Sequence, residues 1–333
     1  MRIDELALIN AFFGFCTPMG DTWPSPLVPL GYEVVGVQRE LTTTLNGRDK
    51  TVVVDVLCGS QVLQHVLCVE AKSATVHSNQ ARAYATLSGQ RLAVQGVIPT
   101  GVSADQLSHD VVYATASSHA PQVQHGLTFL GLQFPILAAD QSAFRLTHGA
   151  FCQPELNKVF AAKVVVANHE WPRHFVPFTA TSSDAEKAPR VMSTLLQFLQ
   201  RGGSFTIHDF VRKAVPHYDY CGTAEQRQFR KSVGRLLDRV AREELHGEFR
   251  RIGSDPEWEV MGKPATTAQR LEALQQRARQ FVYRLEHGID FMPNQPPLFE
   301  IEDLVDEGDL PSDRTDDGRP TTKPGGYGRS ASA

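Results

Sequence analysis

The chain has 333 residues, which is long enough for two domains that each contain a hydrophobic core. Hydrophobic residues make up 41% of the sequence and charged residues 21%, as in ordinary soluble globular proteins. The formal net charge of −4 excludes a protein that coats nucleic acid through its overall charge, so any contact with DNA requires a local basic face.

Two further observations bear on the compartment. The longest apolar runs are shorter than a membrane span, and the first fifteen residues carry acids where a signal peptide would need basic residues, so we expect a cytoplasmic protein without a membrane partner. The cysteines are odd in number and form no C-x-x-C pair, which disfavours a disulfide framework or a zinc knuckle. They are Cys16, Cys58, Cys68, Cys152 and Cys221.

The first elements are a helix and a strand. Residues 3–14 have apolar side chains at helical spacing behind an acidic first turn, which is typical of a helix start. A loop rich in proline and glycine follows over residues 16–31. Residues 32–44 then alternate enough to predict the first strand of a sheet.

Charged residues enter the next two strands. Residues 51–57 and 62–69 are β-branched apolar runs, and the four residues between them predict a tight antiparallel hairpin. Asp55 lies within the first run, and Glu70 and Lys72 follow the second. Because side chains alternate along a strand, Glu70 and Lys72 point to one face. We therefore expect two acids and a lysine to converge, with a metal ion or mutual pairing offsetting the cost of their burial.

A helix is predicted directly after this hairpin, over residues 78–87. Gln80 and Tyr84 lie four residues apart, so they share one face of that helix. If the helix packs over the hairpin, both side chains border the acidic cluster.

The next elements alternate between strand and helix. Strands are predicted at 94–98, 110–114 and 134–138, and a helix with a proline near its first turn is predicted at 117–130. This order predicts an α/β fold with a central mixed sheet.

The order of the charged residues resembles a known family. Asp55, then Glu70-Ala71-Lys72, then Gln80 to Tyr84 (QARAY) resembles the PD-(D/E)XK nuclease superfamily, and the QxxxY helix is common in its RecB-like and Holliday-junction-resolvase-like branches. Val54 stands where the motif often has proline. The resemblance extends to about residue 150 and implies a restriction-endonuclease-like core over residues 1–150.

The resemblance implies a metal site. Asp55, Glu70 and the carbonyl group of Ala71 would hold Mg²⁺ or Mn²⁺, because these cations prefer oxygen ligands. Members of the superfamily often add a glutamate from the first helix, which would be Glu5, with Glu40 as the alternative. Glu5 has a second interpretation, since an acid in the first helical turn also complements the helix dipole.

The resemblance also implies catalytic roles. Lys72 would orient or deprotonate the attacking water, or stabilise charge in the transition state of phosphodiester hydrolysis. Gln80 would hold the lysine or the water, and Tyr84 would contact a phosphate or brace the helix. The alternative is a structural cluster in which Lys72 and Glu70 form a solvated pair.

A change of composition follows the first half. Residues 151–189 contain a short helical piece near 155–166 and then many prolines, serines and threonines, which indicate a linker. His169, Glu170 and His174 lie in this segment, but their spacing fits no metal-binding helix.

The second half predicts a compact helical unit. Helices are expected at 191–201, 207–215 and 223–244, followed by two short strands within 248–261. Three helices followed by a hairpin resemble a winged helix-turn-helix domain, here over residues 190–262.

This part of the chain is locally basic. Residues 201–251 contain eleven lysines or arginines and seven acids, and such cations could neutralise DNA phosphates. Alternatively, these cations pair with Glu225, Asp238 and Glu243, and the surface packs on a protein. The candidate DNA-binding residues are Arg227, Arg230, Lys231, Arg235, Arg239, Arg250 and Arg251.

The chain closes with a helix and an acidic tail. A helix at 266–287, within a segment over 263–292, could pack on the winged helix or form a homodimer. Residues 293–333 are rich in proline, glycine and acids, which predicts a disordered tail that could dock a partner.

Three functions fit these patterns. The first is a hydrolase, a Mg²⁺-dependent DNA endonuclease of a defence or mobile-element system. The second is a TnsA-like transposon-end nuclease, which needs a partner such as a transposase or an NTPase. The third is a non-catalytic DNA-binding protein with a decayed nuclease fold.

Overall fold

A computed structural model of the protein describes residues 3–97, 102–167, 169–253, 257–261, 265 and 267–288. Within these ranges the fold is α/β, with a mixed seven-stranded sheet in the first half and a three-stranded sheet in the second. The predicted α/β class with a central mixed sheet is therefore confirmed. Among the helices in these ranges, none combines the length and apolar character that crossing a lipid bilayer requires.

Residues 3–167 alternate between helices and strands. In chain order they form α1 (Glu5–Phe15), β1 (Tyr32–Leu45), β2 (Arg48–Ser60), β3 (His65–Lys72), α2 (Ser78–Tyr84), α3 (Gly89–Val94), β4 (Ser108–Ala116), α4 (Ala120–Phe129), β5 (Ile136–Ala139), β6 (Ala143–His148), α5 (Pro154–Ala161) and β7 (Val164–Val165). The strand order in the sheet follows the chain order from β1 to β7.

The direction of the strands changes across the sheet. β1, β2 and β3 are antiparallel neighbours, and β5, β6 and β7 are too. Between these groups, β3, β4 and β5 run parallel, so their carboxyl ends meet at one edge of the sheet. In open sheets with parallel strands, that edge is the usual place for a ligand.

β3 is buried because both faces of the sheet are covered. Val69 and Ala71 share one apolar cluster with Phe12 of α1, while Val66 and Cys68 belong to the cluster on the other face. A strand that is covered on both sides has a nearly continuous apolar sequence. A charged residue in such a strand must therefore find a partner or a metal ion.

Two predictions near the hairpin are wrong in detail. Residues 58–60 continue β2, and the turn comes at residues 61–64, with Gln64 in a left-handed conformation at φ 48°. The strand predicted at 94–98 is not formed at its start, because Ser88 caps α3 and Val94 ends that helix. Val94 is exposed, so its hydrophobicity does not indicate a core strand.

Residues 151–167 and 169–176 pack against the sheet, which differs from the linker predicted there. They contribute α5 and β7, and the latter pairs with β6. Phe160, Trp171 and Val176 belong to the same core cluster as α1. Asn10 of α1 fixes Val176 by accepting from its backbone N–H at 2.9 Å.

The second half consists of helices and a small antiparallel sheet. Its elements are α6 (Asp184–Arg201), β8 (Ser204–Thr206), α7 (Ile207–Ala214), α8 (Thr223–Glu243), β9 (Phe249–Ile252), β10 (Glu257–Val260) and α9 (Ala268–His287), with β10 between β8 and β9. α6 begins six residues before position 190 because Ser183 and Glu186 form a capping box.

Aromatic packing holds the second half together. Phe205 of β8 stacks on Trp258 of β10 with ring centroids 5.9 Å apart, and Phe198 and Phe210 extend the cluster. The predicted last helix packs against α6 through its buried face, which includes Phe281. The acidic tail over 293–333 lies outside the described residues.

The two halves also touch each other. The backbone N–H of Ala180 donates to Glu225 of α8 at 3.1 Å, and Val37 of β1 forms an isolated bridge with Cys221. His217 Nδ1 lies 3.2 Å from the carbonyl oxygen of Phe175. These contacts place the second half directly beside the sheet.

Candidate active site

Asp55 lies where β2 and β3 stop sharing backbone hydrogen bonds. Their ladder ends at the pair Val56 and Val69, and the next N–H of β3 that points to β2, that of Ala71, donates to Asp55 Oδ2 at 2.8 Å. Gln38 of β1 donates its amide to Oδ1 at 2.9 Å. Both donors are neutral, so no hydrogen-bonded cation offsets the charge of Asp55.

Glu70 and Lys72 form an ion pair on one face of β3, as the alternation of the strand predicts. Lys72 Nζ lies 2.5 Å from Glu70 Oε1. Glu70 is only 1% exposed and the Lys72 side chain 14%, so the pair is not solvated. A buried ion pair of this kind carries a desolvation cost, which makes it weak support for a purely stabilising role.

α2 brings the predicted Gln80 and Tyr84 to this pair. The Tyr84 hydroxyl donates to Glu70 Oε2 and lies 2.7 Å from the carbonyl oxygen of Val53. Gln80 donates its amide to the Tyr84 hydroxyl at 3.1 Å. The two residues therefore anchor α2 to β2 and hold the Glu70 carboxylate in place.

Glu5, rather than Glu40, lies beside the cluster. Glu5 is in the first turn of α1, and its Oε1 accepts from the backbone N–H of Ser73 at 3.0 Å. Glu40 instead lies on the side where the two halves touch. There its charge helps to raise the pKa of Glu225, although burial is the larger cause. These contacts favour Glu5 over Glu40 as the additional acid.

The pKa values show an excess of negative charge. Burial, and then the neighbouring Glu70 carboxylate, raises the pKa of Asp55 well above its usual value. Burial also raises the pKa of Glu70, although Lys72 offsets part of this effect. For Lys72, burial alone lowers the pKa, but the adjacent carboxylates, chiefly that of Glu70, outweigh burial and raise it. Lys72 is therefore charged at neutral pH.

The donor set fits a hard divalent cation. Asp55, Glu70 and Glu5 supply carboxylate oxygens around a single ammonium group, so the cluster lacks positive charge. The N–H of Ala71 points to β2, and since the N–H and C=O groups of one strand residue point the same way, its carbonyl oxygen faces the same side. Mg²⁺ and Mn²⁺ bind such oxygen donors.

Sequence reasoning missed a second polar cluster, at the opposite end of β3. His65 is the first residue of that strand, and its Nε2 lies 3.1 Å from Asp110 Oδ2 of β4 and 3.8 Å from Cys152 Sγ. Tyr32 places its hydroxyl 2.8 Å from His65 Nδ1. The only local signal is a histidine or an aspartate at the start of a buried strand.

Cys152 in that cluster is not an activated nucleophile. Partial desolvation by the surrounding protein, and then the charge of Asp110, raises the pKa of its thiol to about 12, so the thiol stays protonated at neutral pH. The nearby imidazole nitrogen is the one that already faces Asp110, unlike a catalytic triad, in which the base uses one nitrogen for the acid and the other for the nucleophile.

The predicted DNA-binding residues divide into two groups. Three arginines are engaged in ion pairs: Arg239 with Glu243 at 3.0 Å, Arg250 with Glu259 at 3.0 Å and Arg251 with Asp238 at 3.3 Å. Arg230 donates to the Tyr218 hydroxyl at 2.7 Å. The pairing that the sequence offered as an alternative is thus present for Asp238 and Glu243, whereas Glu225 is buried and accepts from Ala180.

The second group forms a stripe along α8. Arg227, Lys231 and Arg235 are spaced four residues apart, so they share one face of the helix, and all three are exposed. Among the residues that the structure describes, no acidic side chain forms an ion pair with any of them. We call these three residues the α8 stripe.

The model of one known protein family matches the first half of the chain. The family model described as the MJECL32 domain matches residues 4–176. This range begins at the cap of α1, includes the whole seven-stranded sheet and the Asp55–Glu70–Lys72 cluster, and ends at the buried Val176. No curated protein and no solved structure matches the chain significantly.

Proposed function

The chain belongs to the MJECL32 domain family, and we propose that it is a Mg²⁺-dependent DNA endonuclease of the cytoplasm with a restriction-endonuclease-like core of the PD-(D/E)XK type. The observation that carries this proposal is the meeting of Asp55, Glu70 and Lys72 at the carboxyl end of β3. Acids that are buried without a matching number of cations favour a metal site over a structural cluster.

Asp55, Glu70 and the carbonyl oxygen of Ala71 would hold the Mg²⁺ or Mn²⁺ ion, with Glu5 as an additional acid. A divalent cation in this place polarises the scissile phosphodiester and lowers the pKa of an attacking water. The raised pKa values of Asp55 and Glu70 support this assignment, because a cation would relieve the repulsion between their carboxylates.

The other side chains of the cluster would stabilise the transition state or hold the metal-binding residues in position. Lys72 is charged at neutral pH, so it is better suited to stabilise negative charge on the phosphorane-like transition state than to remove a proton from water. Tyr84 and Gln80 would act as positioning residues, since their hydrogen bonds end at Glu70 and the backbone of β2.

A cleavage assay tests this proposal. Supercoiled plasmid, linear duplex, single-stranded DNA and RNA are incubated with the full chain and Mg²⁺. We expect cleavage of DNA that is lost without the metal and in Asp55→Ala and Lys72→Ala. The matched control, Asp49→Ala, changes an exposed aspartate of the same strand as Asp55 and should retain activity. An absence of metal-dependent cleavage from all substrates would favour the non-catalytic DNA-binding protein instead.

The second half would seat the DNA as a winged helix-turn-helix. The order of α6, α7 and α8, with β9 and β10 after them, supports this interpretation. The α8 stripe would contact phosphates, because its cations are exposed and unpaired by acids of the described residues. Arg239, Arg250 and Arg251 would contribute less, since each would have to leave an ion pair.

A TnsA-like transposon-end nuclease is the second candidate. The observation that favours it is the order of an α/β sheet domain followed by three helices and a hairpin. This function predicts that cleavage requires defined DNA ends and a partner transposase or NTPase. Cleavage of plain plasmid by the chain alone would instead favour a self-sufficient endonuclease.

A further inference from the structure

The cluster at the amino end of β3 contains three side chains of metal-binding type from different parts of the chain. His65 comes from β3, Asp110 from β4 and Cys152 from the segment that precedes α5. One potential ligand atom of each lies within 4.8 Å of the other two. His65 is fully buried, and Asp110 is 8% exposed.

The distances agree with the edges of a tetrahedral zinc site. Zinc bonds of about 2.0–2.1 Å to nitrogen or oxygen and about 2.3 Å to sulfur give edges of about 3.4 Å between N and O and about 3.6 Å between N and S. The observed distances from His65 Nε2 are 3.1 Å to Asp110 Oδ2 and 3.8 Å to Cys152 Sγ. Only small shifts of these side chains separate the two geometries.

Neighbouring groups orient His65 and Asp110. Tyr32 lies 2.8 Å from His65 Nδ1, so this nitrogen can donate to the hydroxyl while Nε2 faces a metal ion. Asp110 Oδ1 accepts from the backbone N–H of Cys152 at 2.9 Å, and Oδ2 accepts from that of Gln153 at 3.2 Å. Support of this kind is usual around metal ligands, because it fixes their direction before the metal ion binds.

The cluster has an open side. Cys152 is exposed, and it lines a cavity of about 370 Å³ together with His109 and Asp110. A metal ion can therefore enter, and a water molecule can complete a coordination shell of three protein ligands.

We propose that His65 Nε2, Asp110 Oδ2 and Cys152 Sγ bind one Zn²⁺ ion. Imidazole, carboxylate and thiolate together suit zinc, whereas Mg²⁺ prefers oxygen donors alone. Binding would release the thiol proton of Cys152 to solvent, and a His65 ring that binds the ion through Nε2 would carry its proton on Nδ1, next to Tyr32. The ion links β3, β4 and the segment before α5, at the end of β3 opposite to Lys72.

A hydrogen-bond chain from Tyr32 through His65 to Asp110 uses the same side chains without a metal ion. The two interpretations differ at Cys152, since the chain of hydrogen bonds needs no thiolate. They differ also in which ring nitrogen of His65 carries the proton. In the hydrogen-bond chain it is Nε2, and in the zinc site it is Nδ1.

Cobalt substitution separates these interpretations. The full chain is purified, stripped of metal, shown to be folded by circular dichroism, and titrated with Co²⁺ alone and then with Zn²⁺ in competition with a chromophoric chelator. We expect a thiolate-to-cobalt charge-transfer band, displacement of Co²⁺ by an equimolar amount of Zn²⁺, and release of a proton on binding.

Matched variants locate the site. Cys152→Ser should abolish the charge-transfer band and weaken zinc binding by at least about 10-fold. Cys221→Ser, which changes a buried cysteine in the other half, and Asp55→Ala, which removes a proposed magnesium ligand, should leave the band unchanged. The proposal is overturned if the folded protein shows no charge-transfer band, or if Cys152→Ser binds zinc as tightly as Cys221→Ser does.

Discussion

The two halves of the molecule use charged residues differently. In the first half, Asp55, Glu70 and Lys72 lie within a sheet that is covered on both faces, and burial perturbs the pKa of each of them. In the second half, the cations that we expect to contact DNA are partly or fully exposed, and Arg239, Arg250 and Arg251 pair with neighbouring acids. Burying a charged group costs free energy, so a buried charge indicates a functional role. An exposed charge can pair with a neighbouring acid at little cost.

The largest expected effect concerns the buried charges of the first half. Lys72→Ala should reduce the cleavage rate by roughly 10²–10³-fold, because it removes a charge next to the reacting phosphate, while DNA affinity changes little. Lys50→Ala, which removes an exposed lysine from the amino-terminal end of β2, is the matched control. Single-turnover cleavage rates measure the difference. Equal rates for the two variants would mean that burial of Lys72 does not mark a catalytic role.

A buried titratable group in the second half sharpens the comparison. Burial lowers the pKa of His217 to about 4, whereas an unfolded histidine has a pKa of about 6.5. The unfolded state therefore binds more protons between these values, so the free energy of unfolding should fall by roughly 3 kcal/mol as the pH drops from about 6.5 to about 4.

Urea unfolding at several pH values measures this dependence. His217→Phe retains the ring contact with Phe229, whose centroid lies 5.5 Å away, but cannot titrate. The variant should therefore show a flatter pH dependence between pH 6.5 and pH 4. The same slope in both proteins would assign the acid sensitivity to other groups.

The third prediction concerns the α8 stripe in the second half, whose cations form no ion pairs with acids of the described residues. Replacing all members of the α8 stripe by alanine should weaken DNA binding and reduce the dependence of log Kd on log salt by about 0.9 for each lost phosphate contact. The control is Arg250→Ala combined with Arg251→Ala, which should reduce this slope less because both arginines are paired with acids. Fluorescence anisotropy at several salt concentrations measures both.

The smallest expected effect is a gain in stability. Asp55→Asn removes a carboxylate that burial and Glu70 disfavour. The new amide can accept from Ala71, and its N–H group can donate to Gln38 once the Gln38 amide turns its oxygen toward it, so the free energy of unfolding of the metal-free protein should rise by on the order of 1 kcal/mol at pH 7. The folded-state pKa of Asp55 is raised, so ionisation costs stability as the pH rises through it.

The gain should therefore shrink as the pH falls below that pKa, where the wild-type carboxyl is already protonated. Thermal unfolding in the presence of a chelator, at pH 7 and at pH 4, measures it. Asp49→Asn changes an exposed aspartate of the same strand and should have little effect at either pH. A loss of stability in Asp55→Asn would mean that the carboxylate is held more favourably than its surroundings indicate.

Local patterns were sufficient to predict that Asp55, Glu70 and Lys72 come together. Asp55 interrupts an apolar run, and Glu70 and Lys72 alternate along one strand, so their convergence could be inferred from β-strand geometry alone. The position of Tyr84 followed from helical spacing in the same way. The sequence alone could not decide whether Glu5 or Glu40 is the additional acid of the cluster, because this depends on how α1 crosses the sheet.

The cluster of His65, Asp110 and Cys152 depends on contacts between distant parts of the chain. His65 and Asp110 are 45 residues apart and meet because β3 and β4 run parallel, while Cys152 arrives after two further strands. Strand alternation says nothing about such pairings. Likewise, the ion pairs of Arg250 and Arg251 depend on the register of β9 with β10 and on the approach of α8.

A crystal structure with Mn²⁺ would test the central claim most directly, since the anomalous signal of manganese locates the ion without reference to activity. The account predicts a peak bounded by Asp55, Glu70 and the carbonyl oxygen of Ala71 in the wild-type protein, and its loss in Asp55→Asn. A peak that lies elsewhere, or an unchanged Glu70–Lys72 ion pair with no peak beside it at saturating Mn²⁺, would contradict the account.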